Sequence, residues 1–442
     1  MEQINIGLLG CGTVGTGVSR ILLSQQDLLA SRVGAMLVLK RIADPEPDKK
    51  RSHPIPRALF TTDAYDVVND PEIDIIIELI GGTTIACELV EAAIQNGKQV
   101  VTANKALLAE DGNRLFALAR EKGVDIAFEA SVAGCIPIIK TLRESLVGNE
   151  IFSMNGILNG TCNFILTRMT HSGASFEAAL KEAQDKGFAE ADPTLDIEGI
   201  DAAHKLALLS ALAWGTPIDL DAVYVEGING LSHLDVHYAS EFGYRVKLIA
   251  RAENKNGKIS TRVHPAMIPL NDMLSNVEGS FNALSVKADA IGEMVLYGHG
   301  AGMMPTASAV VSDTVDQARN LLSASGLRFI QTGMIDPRRP QLRPVSIMAT
   351  EGRYYFRFSA DDRPGVFSRL SGILAEYGIS IQSVQQMGRK KNGGIPIVMI
   401  THMAKEAEVQ QALDAIRELP TLISEPVMIR ILEEDALQET DD

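Results

Sequence analysis

At 442 residues the chain exceeds the length over which one core keeps growing, so two or three domains are expected. A composition of 46% hydrophobic and 22% charged residues excludes a disordered chain. The net charge of -15, with no basic stripe to offset it, argues against nucleic acid and membrane surfaces as partners.

The chain opens on an apolar strand over 4–9, then Gly10, Gly12 and Gly15 in the order G-x-G-x-x-G, then a helical run over 14–23. A second strand over 35–43 ends at Asp44, and apolar runs at 73–79 and 99–103 read as buried strands. Residues 85–96 read as a helix closed by Gly97, and 105–122 as another closed by Gly123. This alternation predicts an α/β, doubly wound Rossmann domain over 1–130 that binds a dinucleotide. Gly10 would permit the tight turn, Gly12 the approach of a pyrophosphate, and Gly15 close packing of helix on strand. The helix start would offer N–H groups to the phosphates. A tight turn without a ligand is the alternative. Cofactor choice stays open: Asp44 suits an NAD ribose, while Lys40, Arg41, Lys49, Lys50 and Arg51 nearby suit the 2′-phosphate of NADP. Asn104 and Lys105, just after a strand, stand at the carboxyl edge where such sheets bind ligands.

Residues 131–335 mix helices at 176–186 and 201–214 with strand-like runs at 258–263, 283–288 and 293–297, an α+β domain, which the family resemblance drawn below implies is the catalytic and dimerisation domain. The loop GHGAG, 298–302, leads to Pro305 and a helix through Ser323 placed to return to the first domain. Within the block, AEADPTLDIEGIDAAHK, 189–205, gathers carboxylates around one lysine. Asp201 and Lys205 lie four apart on a helical face that continues through Leu208, Leu209 and Leu212 into a core. A lysine drawn inward suits a general acid or base, and Glu190 and Asp196 are left to hold a cationic substrate. The bland alternative is a surface ion pair.

DPRRPQLRP, 336–344, reads as a linker. Beyond it, a strand at 354–359, a helix at 365–377, strands at 381–387 and 397–402, a helix at 406–417 and a strand at 427–432 give βαββαβ, a ferredoxin-like unit over 350–433. The acidic tail, 434–442, is expected to be mobile. Cys11, Cys87, Cys135 and Cys162 show no metal spacing, the N-terminus reads directly into a strand, and no apolar run reaches bilayer length, so a reducing cytoplasm is expected. His204, His233 and His237 lack a third ligand at suitable spacing for a metal.

These segments together resemble homoserine dehydrogenase, in the form with a C-terminal ACT domain, over essentially the whole length. The resemblance rests on GLLGCGTVG, GGTTIACELVEAAIQNGKQVVTANK, EASVAGCIPIIKTLRESL, GILNGTCNFIL, AEADPTLDIEGIDAAHKLALL and GHGAGMMPTASAVVSD. It implies NAD(P)-dependent interconversion of L-aspartate 4-semialdehyde and L-homoserine, with Lys205 as proton donor and Lys105 as a second essential lysine near the nicotinamide. It also implies that Glu190 and Asp201 contact substrate, that Asp196 supports them, and that Thr13, Val14 and Gly302 line the cofactor site. Family resemblance further implies sodium at Glu129, Val132, Gly134 and Ile136, largely through main-chain oxygens. Cys135 stands where the family has glycine, which would strain a loop that needed a positive φ there. DDRPGVFSRLSGILAEYGISIQSV resembles the ACT signature, which implies a small amino acid, threonine, near Gly365 as feedback inhibitor. A pure dimerisation module is the alternative, and a homodimer or homotetramer is expected.

Two rivals remain. Cys162 in GTCNF could be the nucleophile of an acylating aldehyde dehydrogenase, although no histidine follows as its base. The chain could also be a nucleotide-sensing regulator, which would give the lysine–carboxylate group no role.

Overall fold

The computed structural model describes residues 2–323, 342–386 and 394–432. The acidic tail and most of the linker at 336–344 lie outside the described residues. Strands β1 (Gln3–Leu9), β2 (Met36–Ala43), β3 (Phe60–Thr61), β4 (Ile75–Glu78), β5 (Gln99–Thr102) and β6 (Ile126–Ala127) form a sheet in the order β3-β2-β1-β4-β5-β6. All its pairings are parallel. Strands β4 and β5 are buried along their whole length, because helices cover both faces of such a sheet. The order reverses between β1 and β4, and the crevice beyond their carboxyl ends is the expected ligand position.

The helix Met303–Leu322 crosses back to this domain and packs on the helix Thr13–Ser24. Gly17 makes the crossing close: a Cβ there would lie 2.8 Å from the Met303 carbonyl oxygen and 2.9 Å from the Ala307 Cβ.

The second unit supplies β7 (Ile151–Ile157), β8 (Val223–Val225), β9 (Tyr244–Lys255), β10 (Lys258–Pro269), β11 (Phe281–Ala288) and β12 (Gly292–His299). Strands β9 and β10 form a long hairpin through Asn256 and Gly257, both at positive φ, as a two-residue turn matched to strand twist requires. Strand β10 runs to Pro269, well past the expected end at 263, and β7, β9 and the helix Gly160–Ser172 were not anticipated.

The third unit adds β13 (Arg343–Pro344), β14 (Glu351–Ala360), β15 (Ile381–Gln386), β16 (Ile395–Thr401), β17 (Ala404–Lys405) and β18 (Val427–Ile431). With helices Val366–Glu376 and Glu406–Arg417 it is the expected ferredoxin-like βαββαβ unit. Its sheet is not separate. Strand β18 lies parallel to β10, pairing Ala266 with Arg430 and Met267 with Ile431, and so fuses both units into one twelve-stranded sheet. The fusion covers an edge that β10 would otherwise expose. Alternation along β14 divides its side chains: Tyr354, Phe356 and Phe358 fill the third unit's own core, and Tyr355 enters the core of the second.

Candidate active site

Gly199, at φ +84, turns the chain into the helix Ile200–Trp214, which is buried along most of its length. Asp201 and Lys205 fall on its inner face at the helical spacing of four. The Lys205 ammonium donates to the Leu158 carbonyl at 2.6 Å and to Asp201 Oδ2 at 2.7 Å. Lys105, the first residue of the helix Lys105–Lys122, reaches the other oxygen, Asp201 Oδ1, at 3.1 Å. The surface-pair alternative is thereby excluded, since Asp201 and Lys205 are each only 9% exposed. Burial alone would push the Asp201 carboxyl up, but Lys205 and Lys105 outweigh it and hold the group well below the usual carboxylate range.

Asn159 ties this group to the next carboxylate. Its side-chain N–H groups donate to Asp201 Oδ2 at 2.9 Å and to Asp196 Oδ1 at 2.7 Å, while its oxygen caps the helix Gly160–Ser172 through the Cys162 N–H. Burial, aided by Asp201, raises the Asp196 carboxyl above its ordinary value. A cleft of about 730 Å³ opens over these groups, with Glu190 and His204 in its walls, Val14, Ala103 and Lys105 bringing the first domain to it, and Gly302 and Thr306 of the second unit beside them. The structure therefore joins Lys205, Lys105, Asp201, Asp196 and Glu190 in one cavity that also borders the glycine loop.

That loop follows the expected geometry. Gly10 has φ +88, and a Cβ on Gly15 would lie 2.3 Å from the Gly10 carbonyl oxygen. A Cβ on Gly12 would meet nothing within 4 Å, which leaves exposed space above the start of the helix Thr13–Ser24 for a phosphate. Asp44 does not reach outward to a ribose. Its Oδ2 accepts the Cys11 N–H at 2.8 Å, and its Oδ1 accepts the Glu46 N–H at 2.9 Å and pairs with Arg51 at 3.0 Å. Arg51 is engaged in turn by the carbonyls of Cys11, Glu46, Pro47 and Lys49, and Lys40 by Asp70 and Glu72.

Around the expected cation loop, Glu129 accepts the Ile139 and Lys140 N–H groups at 2.8 and 2.9 Å, and the Ile136 carbonyl accepts the Ile138 N–H. Burial, with Asp313 close by, pushes the Glu129 carboxyl up to about 7. The positive φ values fall on Ala133 and Gly134 and not on Cys135, so the strain expected of that cysteine does not arise. Val132 lies fully buried beside them.

Cys162 is no nucleophile. Burial and the neighbouring carboxylates Asp196 and Asp201 push its thiol well above the usual range, and its Sγ donates to the Asp196 carbonyl at 3.1 Å. Nor do the histidines form a metal site: among the described residues no group of three or more His, Cys, Asp or Glu could hold a metal ion. The sequence reading missed Asn159 and Asn282. The second donates to the same Leu158 carbonyl that Lys205 uses and lines the cleft, with its Oδ1 buried and unbonded. Asn159 stood inside GILNGTCNFIL as a helix cap before a polar pair, a signal that was available; Asn282 carried none.

Comparison with known proteins places this geometry. Family models match residues 10–129 as the NAD-binding domain of homoserine dehydrogenase, 137–315 as homoserine dehydrogenase, and 354–421 as an ACT domain. The chain is 44% identical to homoserine dehydrogenase of Pseudomonas aeruginosa, covering 98% of this chain and 99% of that one. With homoserine dehydrogenase of Bacillus subtilis the identity is 41%, over 95% and 96%. The crystal structure of a homoserine dehydrogenase from Thiobacillus denitrificans superposes with a TM-score of 0.91 at 44% identity, covering 98% and 99%. A hyperthermophilic archaeal homoserine dehydrogenase in complex with NADPH gives 0.62 at 29%, covering 74% of this chain and all of that one.

Proposed function

The chain belongs to the homoserine dehydrogenase family, NAD(P)-dependent oxidoreductases acting on a CH–OH group, and on that premise we propose that it interconverts L-aspartate 4-semialdehyde and L-homoserine. The observation that carries this reading is the Lys205 ammonium, buried in the cleft with two of its three N–H groups given to Leu158 and Asp201. The remaining N–H serves the substrate oxygen. In reduction Lys205 donates its proton to the aldehyde oxygen, and in oxidation the neutral amine takes the hydroxyl proton. The nicotinamide cofactor, NADP or NAD, supplies the hydride when bound. Gly10, Gly12, Thr13, Val14, Gly15 and Gly302 would hold it, with Lys105 at its nicotinamide end. Asp201, with both oxygens engaged, orients the two lysines, and the substrate ammonium falls to Glu190 and Asp196.

The same reading puts the enzyme in the cytoplasm, in threonine, methionine and isoleucine biosynthesis; four free cysteines support the reducing setting. It takes 1–130 as the cofactor domain, 131–335 as the catalytic domain and 350–433 as the regulatory one, with threonine as feedback inhibitor. Strands β12 and β15, the two ends of the fused sheet, support assembly into a homodimer or homotetramer. Sodium would sit at Glu129, with Val132, Gly134 and Ile136 supplying carbonyls; the carboxylate, raised by burial first and by Asp313 in addition, gains a counter-charge there. The test is to incubate the full chain with L-homoserine and either NAD⁺ or NADP⁺ and follow reduced cofactor. No reduction with either, in protein that binds the nucleotide, overturns the reading.

A further inference from the structure

Asn282 stands between the glycine loop 298–302 and the carbonyl that holds the Lys205 ammonium. In the β11–β12 hairpin it lies opposite Gly298. The chain past β12 then turns back over it: a Cβ on Gly300 would lie 2.2 Å from the Asn282 Cγ and 2.3 Å from its Nδ2 and Oδ1. Gly300 is not among the glycines at positive φ, so its backbone does not require glycine. The amide beneath it does.

The approach to Asn282 is pinned from two sides. Asn163, in the helix Gly160–Ser172, donates to the Val277 and Phe281 carbonyls, both at 3.1 Å. Lys247 Nζ, buried on β9, donates to Asn163 Oδ1 at 3.0 Å and to the Val277 carbonyl. The Phe281 ring stacks on His299, the residue before Gly300, with centroids 4.4 Å apart.

The amide itself makes one contact that matters to the chemistry. Its Nδ2 donates to the Leu158 carbonyl at 3.0 Å, and the same oxygen accepts the Lys205 ammonium at 2.6 Å. A carbonyl oxygen has two lone pairs, so Asn282 occupies one and leaves the other to Lys205. The third N–H of a tetrahedral ammonium points where the first two leave it, and those go to Leu158 and Asp201. Fixing the Leu158 acceptor therefore fixes the direction in which the proton leaves.

The other end of the amide shows that this contact is not there for stability. A flipped amide would set Oδ1 against the Leu158 carbonyl, acceptor against acceptor, so the orientation is dictated by that carbonyl. Oδ1 is then buried with no hydrogen-bond partner among the described residues. An unpaired buried acceptor lowers stability, and a leucine of the same outline would avoid it.

We propose that Asn282 is a positioning residue for Lys205, coupling the glycine loop, through Gly300, to the carbonyl that aims the proton. The proposal rests on the dehydrogenase reading above, in which Lys205 exchanges a proton with the substrate oxygen. Since the loop ends at Gly302, assigned there to the cofactor, a displacement of Gly300 reaches Lys205 through a single amide.

The experiment uses the full chain, homoserine oxidation kinetics, thermal melting and a nucleotide titration that counts functional sites. The variants are Asn282→Leu, Asn282→Ala, Gly300→Ala and the double variant Asn282→Ala with Gly300→Ala. Asn282→Leu should lower kcat about ten- to a hundredfold at full nucleotide stoichiometry, with KM for homoserine and cofactor within about twofold. Its melting temperature should hold or rise, because the unpaired acceptor is gone, whereas a purely structural role would lower it together with activity. Gly300→Ala should reproduce the kcat loss, its methyl displacing the amide. In the double variant no amide remains to displace, so Gly300→Ala should add less than about a twofold loss to that of Asn282→Ala. Three results would each overturn the proposal: wild-type kcat in Asn282→Leu, multiplicative losses in the double variant, or a kcat loss that comes with a raised KM and a lowered melting temperature. If neither Asn282 variant folds, Gly300→Ala at its half-buried loop position decides alone: lost kcat at unchanged KM supports the proposal, and unchanged kcat overturns it. A wild type that reduces neither NAD⁺ nor NADP⁺ with homoserine overturns the dehydrogenase reading as well, while an active wild type with unaffected variants overturns the role of Asn282 only.

Discussion

The cleft and the seam where β18 of the third unit joins β10 of the second are both buried clusters of charge at a boundary between units, yet they are built from different cations. In the cleft one carboxylate, Asp201, is shared by two lysines beside a cavity of about 730 Å³. At the seam, arginines are clamped by carboxylates: Glu253 takes Arg251 and Arg262, Glu406 takes Arg430, and Asp235 takes Arg357. A lysine gives up its proton within reach of ordinary chemistry, and an arginine does not. The difference separates a place suited to moving protons from one that holds domains together.

The hardest blow to that contrast would come from Lys205→Ala. Loss of a general acid costs roughly a hundred- to ten-thousand-fold in turnover, with nucleotide binding retained. A variant that keeps more than half of wild-type turnover would remove proton transfer from the cleft altogether. Gly12→Val tests the neighbouring wall. Its side chain enters space that the fold leaves open, so folding should survive while affinity for both NAD and NADP falls at least tenfold in a binding titration. Unchanged affinity would place the dinucleotide elsewhere.

Legibility followed the same division. The cleft was readable because its parts are local: Asp201 and Lys205 are one helical turn apart, and Gly10 to Gly15 form a single loop. The Lys105 contact with Asp201, ninety-six positions apart in sequence, had no local signal. The seam was invisible for that reason throughout. Pairing of β10 with β18 brings Ala266 beside Arg430, and no periodicity reports which edge strand meets which. The β9–β10 hairpin is a different failure, since Asn256-Gly257 between apolar runs is a strong turn signal that went unread. Asp44, one of the two cofactor cues that sequence left open, stands where a ribose partner belongs and is held by the Cys11 and Glu46 N–H groups and Arg51, contacts that no local pattern announced.

Arg357→Leu probes the seam as adhesive. It leaves Asp235, fully buried, without its guanidinium, with the Tyr355 hydroxyl at 3.1 Å and the Ser232 hydroxyl at 2.6 Å as the side-chain donors that remain to it. Removing one partner of a buried pair costs about 3–5 kcal/mol, while replacing both is far milder. Denaturant unfolding should therefore show a large loss for Arg357→Leu and partial recovery in the double variant with Asp235→Leu, with turnover at saturating substrate little changed. A fall in kcat at intact stability would mean that the seam takes part in the chemistry.

Acid sharpens the contrast by sign. At the seam, burial alone would raise Glu253 and Glu406, but the arginines against them win and both lie below the ordinary carboxylate value. Their contribution to stability is present above the unfolded carboxylate pKa, and it is lost only as pH falls through the lower, folded values. Asp196 in the cleft is displaced the other way, by burial first and by Asp201 in addition, so the folded protein takes up its proton before the unfolded chain would. Its contribution to stability weakens as pH rises through the unfolded and then the folded pKa, and its negative charge is lost early as pH falls. Lowering the pH from neutrality toward 4 should therefore raise KM for homoserine severalfold while the melting temperature moves by only a few degrees. Asp196→Asn should start from a raised KM and remove most of this acid limb. If KM holds steady down to the pH at which the protein melts, Asp196 does not carry the substrate charge, and the cleft and the seam answer to acid alike.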